Sequence, residues 1–126
     1  MTIPAHAALP KRRVLFIDDE PGLLRAYQRF FARDLVMAFA ATGAAARAEL
    51  AAFRPDVVVL DLHLPDDDGV EVLREVRRRT PDLPVIITTS YSSMQPVVEV
   101  LGLAHSGYLV KPFDLNELAR TIHDVR

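Results

Sequence analysis

Cysteine is absent from the 126 residues, and lysine is nearly absent. Without cysteine the chain has no disulfide framework, no thiolate metal site and no cysteine nucleophile. The formal net charge is only −2, so there is no basic excess of the kind that binds nucleic acid or an anionic membrane. No apolar run approaches the roughly 18 residues that a membrane-spanning helix needs. Of the 15 basic residues, only Lys11 and Lys111 are lysines.

The amino-terminal residues lack the features of a targeting signal. Met1–Pro10 has two prolines, no positively charged start and no long apolar run. We therefore expect residues 1–12 to be a short mobile leader and the protein to be cytoplasmic. Residues 13–126 have the composition of an ordinary folded domain, and their number predicts a single domain.

Five short apolar runs recur at regular intervals, and they predict strands. The second, third and fourth runs are continuous rather than alternating, which is typical of strands covered on both faces. Segments with helical spacing separate them, so we predict an α/β fold: a doubly wound, five-stranded parallel sheet of order 2-1-3-4-5, as in flavodoxin-like (βα)5 folds. The runs are Val14–Ile17, Leu35–Phe39, Val57–Leu60, Val85–Thr89 and Tyr108–Val110.

Helix-start signals agree with this alternation. Pro21 suits a first helical turn, and Thr42 can cap the second helix. Asp114 with Glu117 three residues later forms a capping-box pattern for the last helix.

The predicted fourth helix, within Ser92–Leu103, is apolar almost all round. One buried face requires less apolar surface than this. Either the helix is unusually buried, or it carries, with the fifth strand and the last helix, a surface that a second copy or another protein covers.

Polar residues end four of the five predicted strands. In an open α/β sheet, ligands bind at the carboxyl ends of the strands, so these side chains should meet at one edge. The residues are Asp18-Asp19-Glu20 after the first strand, Asp61 after the third, Thr88-Thr89-Ser90 after the fourth and Lys111-Pro112 after the fifth.

The gathered carboxylates predict a cation. Two carboxylates about 5 Å apart repel by roughly 3 kcal/mol at an effective dielectric constant near 20. Mg²⁺ suits a site with few carboxylates, whereas His63 and His105 lack the spacing of zinc ligands. A cation, Lys111 and a threonine hydroxyl would together bind a phosphoryl group, and a facing carboxylate could attack its phosphorus.

Four blocks in order resemble the receiver domain of bacterial two-component response regulators, from about Arg13 to Val125. They are Leu15–Glu20, Val59–Pro65 with Asp68-Gly69, Pro84–Thr89 and Gly107–Phe113. The resemblance implies that Asp61 accepts a phosphoryl group from a sensor histidine kinase or a histidine phosphotransfer protein. It also implies that Asp18, Asp19, Asp61 and the main-chain carbonyl of His63 hold Mg²⁺, with Mn²⁺ as a substitute.

The same resemblance assigns the remaining site residues. Thr89 and Lys111 would bind the phosphoryl group, Tyr108 would turn inward as Thr89 moves, and the bond before Pro112 would be cis. His63 and Tyr91 would tune the loss of the phosphoryl group, and bulky Tyr91 predicts slow self-dephosphorylation. A phosphoryl half-life of seconds would contradict that prediction.

Two other functions remain open at this point. A pseudo-receiver would only mediate protein contacts, although every acid, hydroxyl and lysine position is filled. A Mg²⁺-dependent phosphohydrolase resembling the haloacid-dehalogenase group would need Asp-x-Asp after the first strand, where adjacent Asp18 and Asp19 stand instead. We therefore expect a signalling switch rather than a turnover enzyme, one that itself binds neither nucleic acid nor membrane. It would be a stand-alone receiver or part of a longer protein.

The run Asp66-Asp67-Asp68 is interpreted as a solvated loop, with Gly69 completing a turn.

Overall fold

The computed structural model describes residues 11–66, 68–90 and 105–126. Tyr91 and the predicted helix within 92–103 lie outside these ranges. No helix in the described ranges combines the length and the apolar character needed to cross a membrane. The elements are β1 Arg13–Ile17, α1 Pro21–Phe30, β2 Val36–Ala40, α2 Gly43–Phe53, β3 Val57–Asp61, α3 Gly69–Arg79, β4 Val85–Thr89, β5 Gly107–Val110 and α4 Leu115–Asp124.

The five strands form one parallel sheet in the order β2-β1-β3-β4-β5, which confirms the predicted topology. β3 and β4 are buried along their whole length, as their continuous apolar runs predict. β2 is different, because it lies at the edge of the sheet and Val36 is 39% exposed. The prediction that the second run is covered on both faces was therefore wrong, because only Ala40 of β2 is buried.

Alternate residues of the central strands enter two separate hydrophobic cores, one on each face of the sheet. Val58 and Leu60 join the core that packs against α2 and α3, whereas Val57 and Val59 join the core beneath α1 and α4. Each fully buried apolar side chain of this kind stabilises the fold by about 1.5–3 kcal/mol. The strand run Val57–Leu60 thus supplies both cores and fixes where Asp61 must emerge.

The helix-start signals are found where the sequence predicts them. Pro21 is the first residue of α1, and the Thr42 hydroxyl accepts a hydrogen bond of 3.0 Å from the Ala45 amide of α2. The Asp114 carboxylate accepts one of 2.7 Å from the Asn116 amide of α4. Because each of these helices follows a parallel strand, their amino termini lie at the carboxyl edge of the sheet.

The interpretation of Asp66 and Asp68 as residues of a merely solvated loop was incomplete. Both residues are exposed, but the Asp68 carboxylate caps α3 through the Val70 amide at 2.9 Å. The Asp66 carboxylate accepts hydrogen bonds from the first two amides of α2. Gly69 does not complete a turn, since it is the first residue of α3. A β-carbon there would lie 2.4 Å from the Leu62 α-carbon, so the close approach of the backbones requires glycine.

Candidate functional site

Three aspartates form an acidic cluster at the carboxyl edge of the sheet. Asp18 and Asp19 follow β1, and Asp61 ends the neighbouring strand β3. One carboxylate oxygen from each lies within 4.8 Å of the others. Asp18 is 1% exposed and Asp61 4%, whereas Asp19 is half-buried. Two nearly buried carboxylates at this distance need a compensating positive charge.

Lys111 supplies that charge. Its Nζ donates hydrogen bonds to Asp18 Oδ2 at 2.8 Å and to Asp61 Oδ2 at 2.9 Å, and it lies 3.4 Å from Glu20 Oε1. The residue follows β5, and its backbone amide donates to the Thr89 carbonyl at 2.7 Å. The following Lys111–Pro112 peptide bond is cis. The end of β5 thus delivers a cation between the ends of β1 and β3.

The second carboxylate oxygens of Asp18 and Asp61, the ones that do not contact Lys111, accept hydrogen bonds from backbone amides. Asp18 Oδ1 accepts a hydrogen bond from the Glu20 amide, and Asp61 Oδ1 accepts one from the His63 amide, both at 2.9 Å. Each carboxylate is therefore oriented from both sides, by Lys111 and by the loop that follows its own strand.

Burial sets the protonation chemistry of this cluster. Desolvation raises the pKa of Asp18 above its ordinary value, because the loss of water outweighs the hydrogen bond from Lys111. Burial alone would lower the pKa of Lys111, but its hydrogen bonds to Asp18 and Asp61 prevail and raise it. Burial, followed by the charges of Asp18 and Asp61, also raises the pKa of the Tyr27 hydroxyl. Lys111 is therefore charged at neutral pH, and the cluster still favours additional positive charge.

Thr88 and Thr89 end β4 beside the cluster, and both are fully buried. Thr88 is paired in register with Asp61, and the Leu62 amide donates to the Thr88 carbonyl. Strand alternation places Thr89 on the face that carries Ile87, where Tyr108 of β5 is paired with Ile87. Thr89 and Tyr108 thus share one face on adjacent strands.

A cleft of about 280 Å³ opens beside Lys111. It gives solvent access to the side of the site where the lysine lies, and Ser90 on its wall is exposed. Its lining residues are Glu20, Leu23, Ser90, Lys111, Pro112 and Phe113.

The structure brings most of the predicted site residues together. Carboxylate oxygens of Asp18, Asp19 and Asp61 lie within 4.8 Å of one another. Lys111 Nζ forms ion pairs with Asp18 and Asp61. The side chain of His63 is exposed, and only its backbone amide contacts Asp61. Tyr91 lies outside the described residues.

Two features of the site region were not predicted. The capping role of Asp68 could have been read from Glu71 three residues later, the same signal that marks the start of α4. Tyr27 appears in the sequence as one apolar position of α1. Its hydroxyl is buried and has no hydrogen-bond partner among the described residues.

The donor set fits a hard divalent cation. Within the described ranges, Asp18, Asp19 and Asp61 are the one group of three acidic or histidine residues close enough to share an ion. All three offer carboxylate oxygens, the ligand type that Mg²⁺ prefers, and no histidine or cysteine joins them.

Solved structures share this fold. The chemotaxis protein CheY4 of Vibrio cholerae superimposes with a TM-score of 0.83 at 26% identity, covering 93% of this chain and 100% of that one. The response regulator TrrA of Thermotoga maritima, solved in complex with Mg²⁺-BeF, gives a TM-score of 0.78 at 26% identity over 89% of this chain and 96% of that one. The fold and the acidic edge define a CheY-like receiver.

Sequence comparison identifies the family. The response regulator receiver domain model matches residues 14–123, so the chain belongs to that family of two-component signalling proteins. The DNA-binding transcriptional activator DevR/DosR of Mycobacterium tuberculosis is 38% identical over 116 residues, which is 90% of this chain. The match covers 54% of that relative, so the chain spans about half its length.

Proposed function

We propose that this receiver accepts a phosphoryl group on Asp61 in a Mg²⁺-dependent reaction. The observation that carries the proposal is the surroundings of the Asp61 carboxylate. It is nearly buried at the end of β3, bound by Lys111 at 2.9 Å and within 4.8 Å of the carboxylates of Asp18 and Asp19. A purely structural carboxylate would not need a second and a third acid beside it, because each adds repulsion.

The reaction is a displacement at phosphorus. A carboxylate oxygen of Asp61 forms a bond to phosphorus as the bond from phosphorus to the donor breaks. With a phosphohistidine donor the electron pair returns to the imidazole nitrogen, and with acetyl phosphate it leaves on acetate. The product is an aspartyl phosphate, and the Lys111 ammonium remains charged throughout.

Asp18, Asp19, Asp61 and the main-chain carbonyl of His63 would hold the divalent ion. When bound, the ion supplies positive charge next to the phosphoryl oxygens. The Lys111 ammonium, which already contacts Asp61, would pair with an oxygen of the phosphoryl group on Asp61, and the Thr89 hydroxyl would donate to another. Lys111 and Thr89, together with the residues that would hold the ion, therefore position the transferred group and stabilise its charge, which is most of what phosphoryl transfer requires.

Phosphorylation would then change a surface. Thr89 moves toward the phosphoryl group and Tyr108, on the same face of the sheet, turns inward after it. The surface affected would include β5 and α4, and Val110 of β5 is 40% exposed. We propose that this face binds an output partner or a second copy. We also propose that the receiver is cytoplasmic and that its donor is a sensor histidine kinase or a histidine phosphotransfer protein.

The proposal is tested by intact mass spectrometry after incubation with acetyl phosphate. We expect the mass of one phosphoryl group to be added with Mg²⁺, with a smaller yield in Mn²⁺ and none in EDTA. Asp19→Asn should lower the yield at limiting Mg²⁺ and recover at high Mg²⁺, because it removes one ligand. Absence of any gain with acetyl phosphate and with phosphoramidate would favour the pseudo-receiver instead.

A further inference from the structure

The β3–α3 loop (residues 62–68) is tied to α2 by one side chain. The Asp66 carboxylate accepts hydrogen bonds from the Gly43 amide at 2.7 Å and from the Ala44 amide at 3.1 Å. The partners are 23 and 22 residues away in sequence, so this contact joins two separate parts of the fold.

The contact completes the capping of α2. A helix begins with amides that have no partner within the helix. Here the Thr42 hydroxyl binds the Ala45 amide, and the Thr42 carbonyl binds the Ala46 amide. The first two amides are left for Asp66. Hydrogen bonds from the Gly43 and Ala44 amides hold the pKa of Asp66 below its ordinary value. The positive end of the helix dipole also favours a negative charge at this position.

The other end of the loop contacts the site. The His63 amide binds Asp61 Oδ1, and His63 forms an isolated bridge with Asp68. The Gly69 amide donates to the Leu62 carbonyl at 3.0 Å, which closes the base of the loop. Only Leu64 and Pro65 separate His63 from Asp66 along the chain, so an anchor at Asp66 can restrain the His63 backbone.

We infer that Asp66 is a positioning residue for the phosphorylation site, which fixes the His63 backbone beside Asp61 by anchoring the loop to α2. An effect of Asp66 on Mg²⁺ binding rests on the proposed function, because the His63 carbonyl is a proposed metal ligand. An effect of Asp66 on the position of the His63 amide does not, because that amide contacts Asp61 in the metal-free protein. Neither role follows from the sequence, in which Asp66 is one of three consecutive aspartates.

A pair of variants separates anchoring of the loop from capping of the helix. Asp66→Ala removes the long-range anchor, whereas Thr42→Ala removes the local cap of the same helix end and leaves Asp66 in place. Asp66→Asn retains one acceptor oxygen and should rescue in part. Unfolding curves for all variants establish that each is folded.

The first measurement uses the metal-free protein. Amide hydrogen exchange followed by NMR should show faster exchange at His63 in Asp66→Ala, an intermediate rate in Asp66→Asn and the wild-type rate in Thr42→Ala. Equal acceleration at His63 in Asp66→Ala and Thr42→Ala would overturn the inference, since the effect would then arise from fraying of α2. An unchanged rate in Asp66→Ala would overturn it too.

The second measurement is Mg²⁺ binding by calorimetry. Asp66→Ala should weaken Mg²⁺ binding by roughly threefold or more. The effect should stay below the 10–100-fold loss of affinity that follows removal of a direct hydrogen-bond partner of a metal ligand. Thr42→Ala should bind as the wild type does. If the wild type itself bound no Mg²⁺, the proposed function would lose its metal step. The exchange rate at His63 would still decide the role of Asp66.

Discussion

Replacement of Lys111 by methionine removes the cation between Asp18 and Asp61 while keeping an unbranched apolar stem. The metal-free protein then holds two nearly buried carboxylates that no positive charge joins. Over 4.8 Å their repulsion is about 3.5 kcal/mol at an effective dielectric constant of 20. We expect the free energy of unfolding at pH 7 to fall by about 2–4 kcal/mol, close to the cost of breaking a buried ion pair from one side.

The loss should depend on pH and on Mg²⁺. Burial already raises the pKa of Asp18, and removal of Lys111 raises it further. A carboxyl with a raised pKa in the folded state destabilises the fold when it ionises. The deficit of the variant is therefore full at neutral pH and shrinks as the pH falls through the raised value toward the ordinary value of 3.8. Added Mg²⁺ should restore stability more in the variant than in the wild type, because it replaces the missing charge.

The assay is urea unfolding followed by circular dichroism, at pH 7 and at lower pH, with EDTA or with Mg²⁺. Lys11→Met is the matched control, since Lys11 is the other lysine of the chain and is exposed. An Lys111→Met variant as stable as the Lys11→Met control at pH 7 in EDTA would refute the electrostatic reasoning. So would a deficit that stays constant as the pH falls.

Three further substitutions test other parts of the account. Gly69→Ala places a β-carbon 2.4 Å from the Leu62 α-carbon, so the free energy of unfolding should fall by about 1–3 kcal/mol; unchanged urea unfolding would contradict that close approach. Tyr27→Phe removes a buried hydroxyl without a partner among the described residues and keeps the stacking on Phe16, so stability should rise by about 1 kcal/mol, whereas a loss would indicate a bonded hydroxyl. Asp18→Asn should raise metal-free stability at pH 7, with a gain that declines as the pH falls and the wild-type carboxyl becomes protonated; a gain that grows at low pH would have the wrong sign.

The sheet could be predicted because its signal is local. Val57–Leu60 is a continuous, mostly β-branched apolar run of strand length, which is typical of a strand covered on both faces. Once β1, β3 and β5 were placed, parallel pairing required Asp18, Asp61 and Lys111 to meet at one edge. The acidic cluster could thus be predicted from the residues at the strand ends alone.

The contacts that could not be predicted are long-range or steric. Nothing in the local sequence pairs Asp66 with an amide 23 residues away. The need for glycine at position 69 arises from the Leu62 backbone, which approaches only after the loop has closed. Val36 belongs to an apolar run that is typical of a buried strand. It is exposed because β2 lies at the edge of the sheet.

The most direct test of the central claim is the identity of the phosphorylated residue. Wild type, Asp61→Asn and Asp34→Asn are incubated with Mg²⁺ and acetyl phosphate, and their intact masses are compared. Asp34 is an exposed residue after α1, away from the acidic cluster, and serves as the matched control. The wild type and Asp34→Asn should each gain one phosphoryl group, and Asp61→Asn should gain none. An equal gain in Asp61→Asn would contradict it.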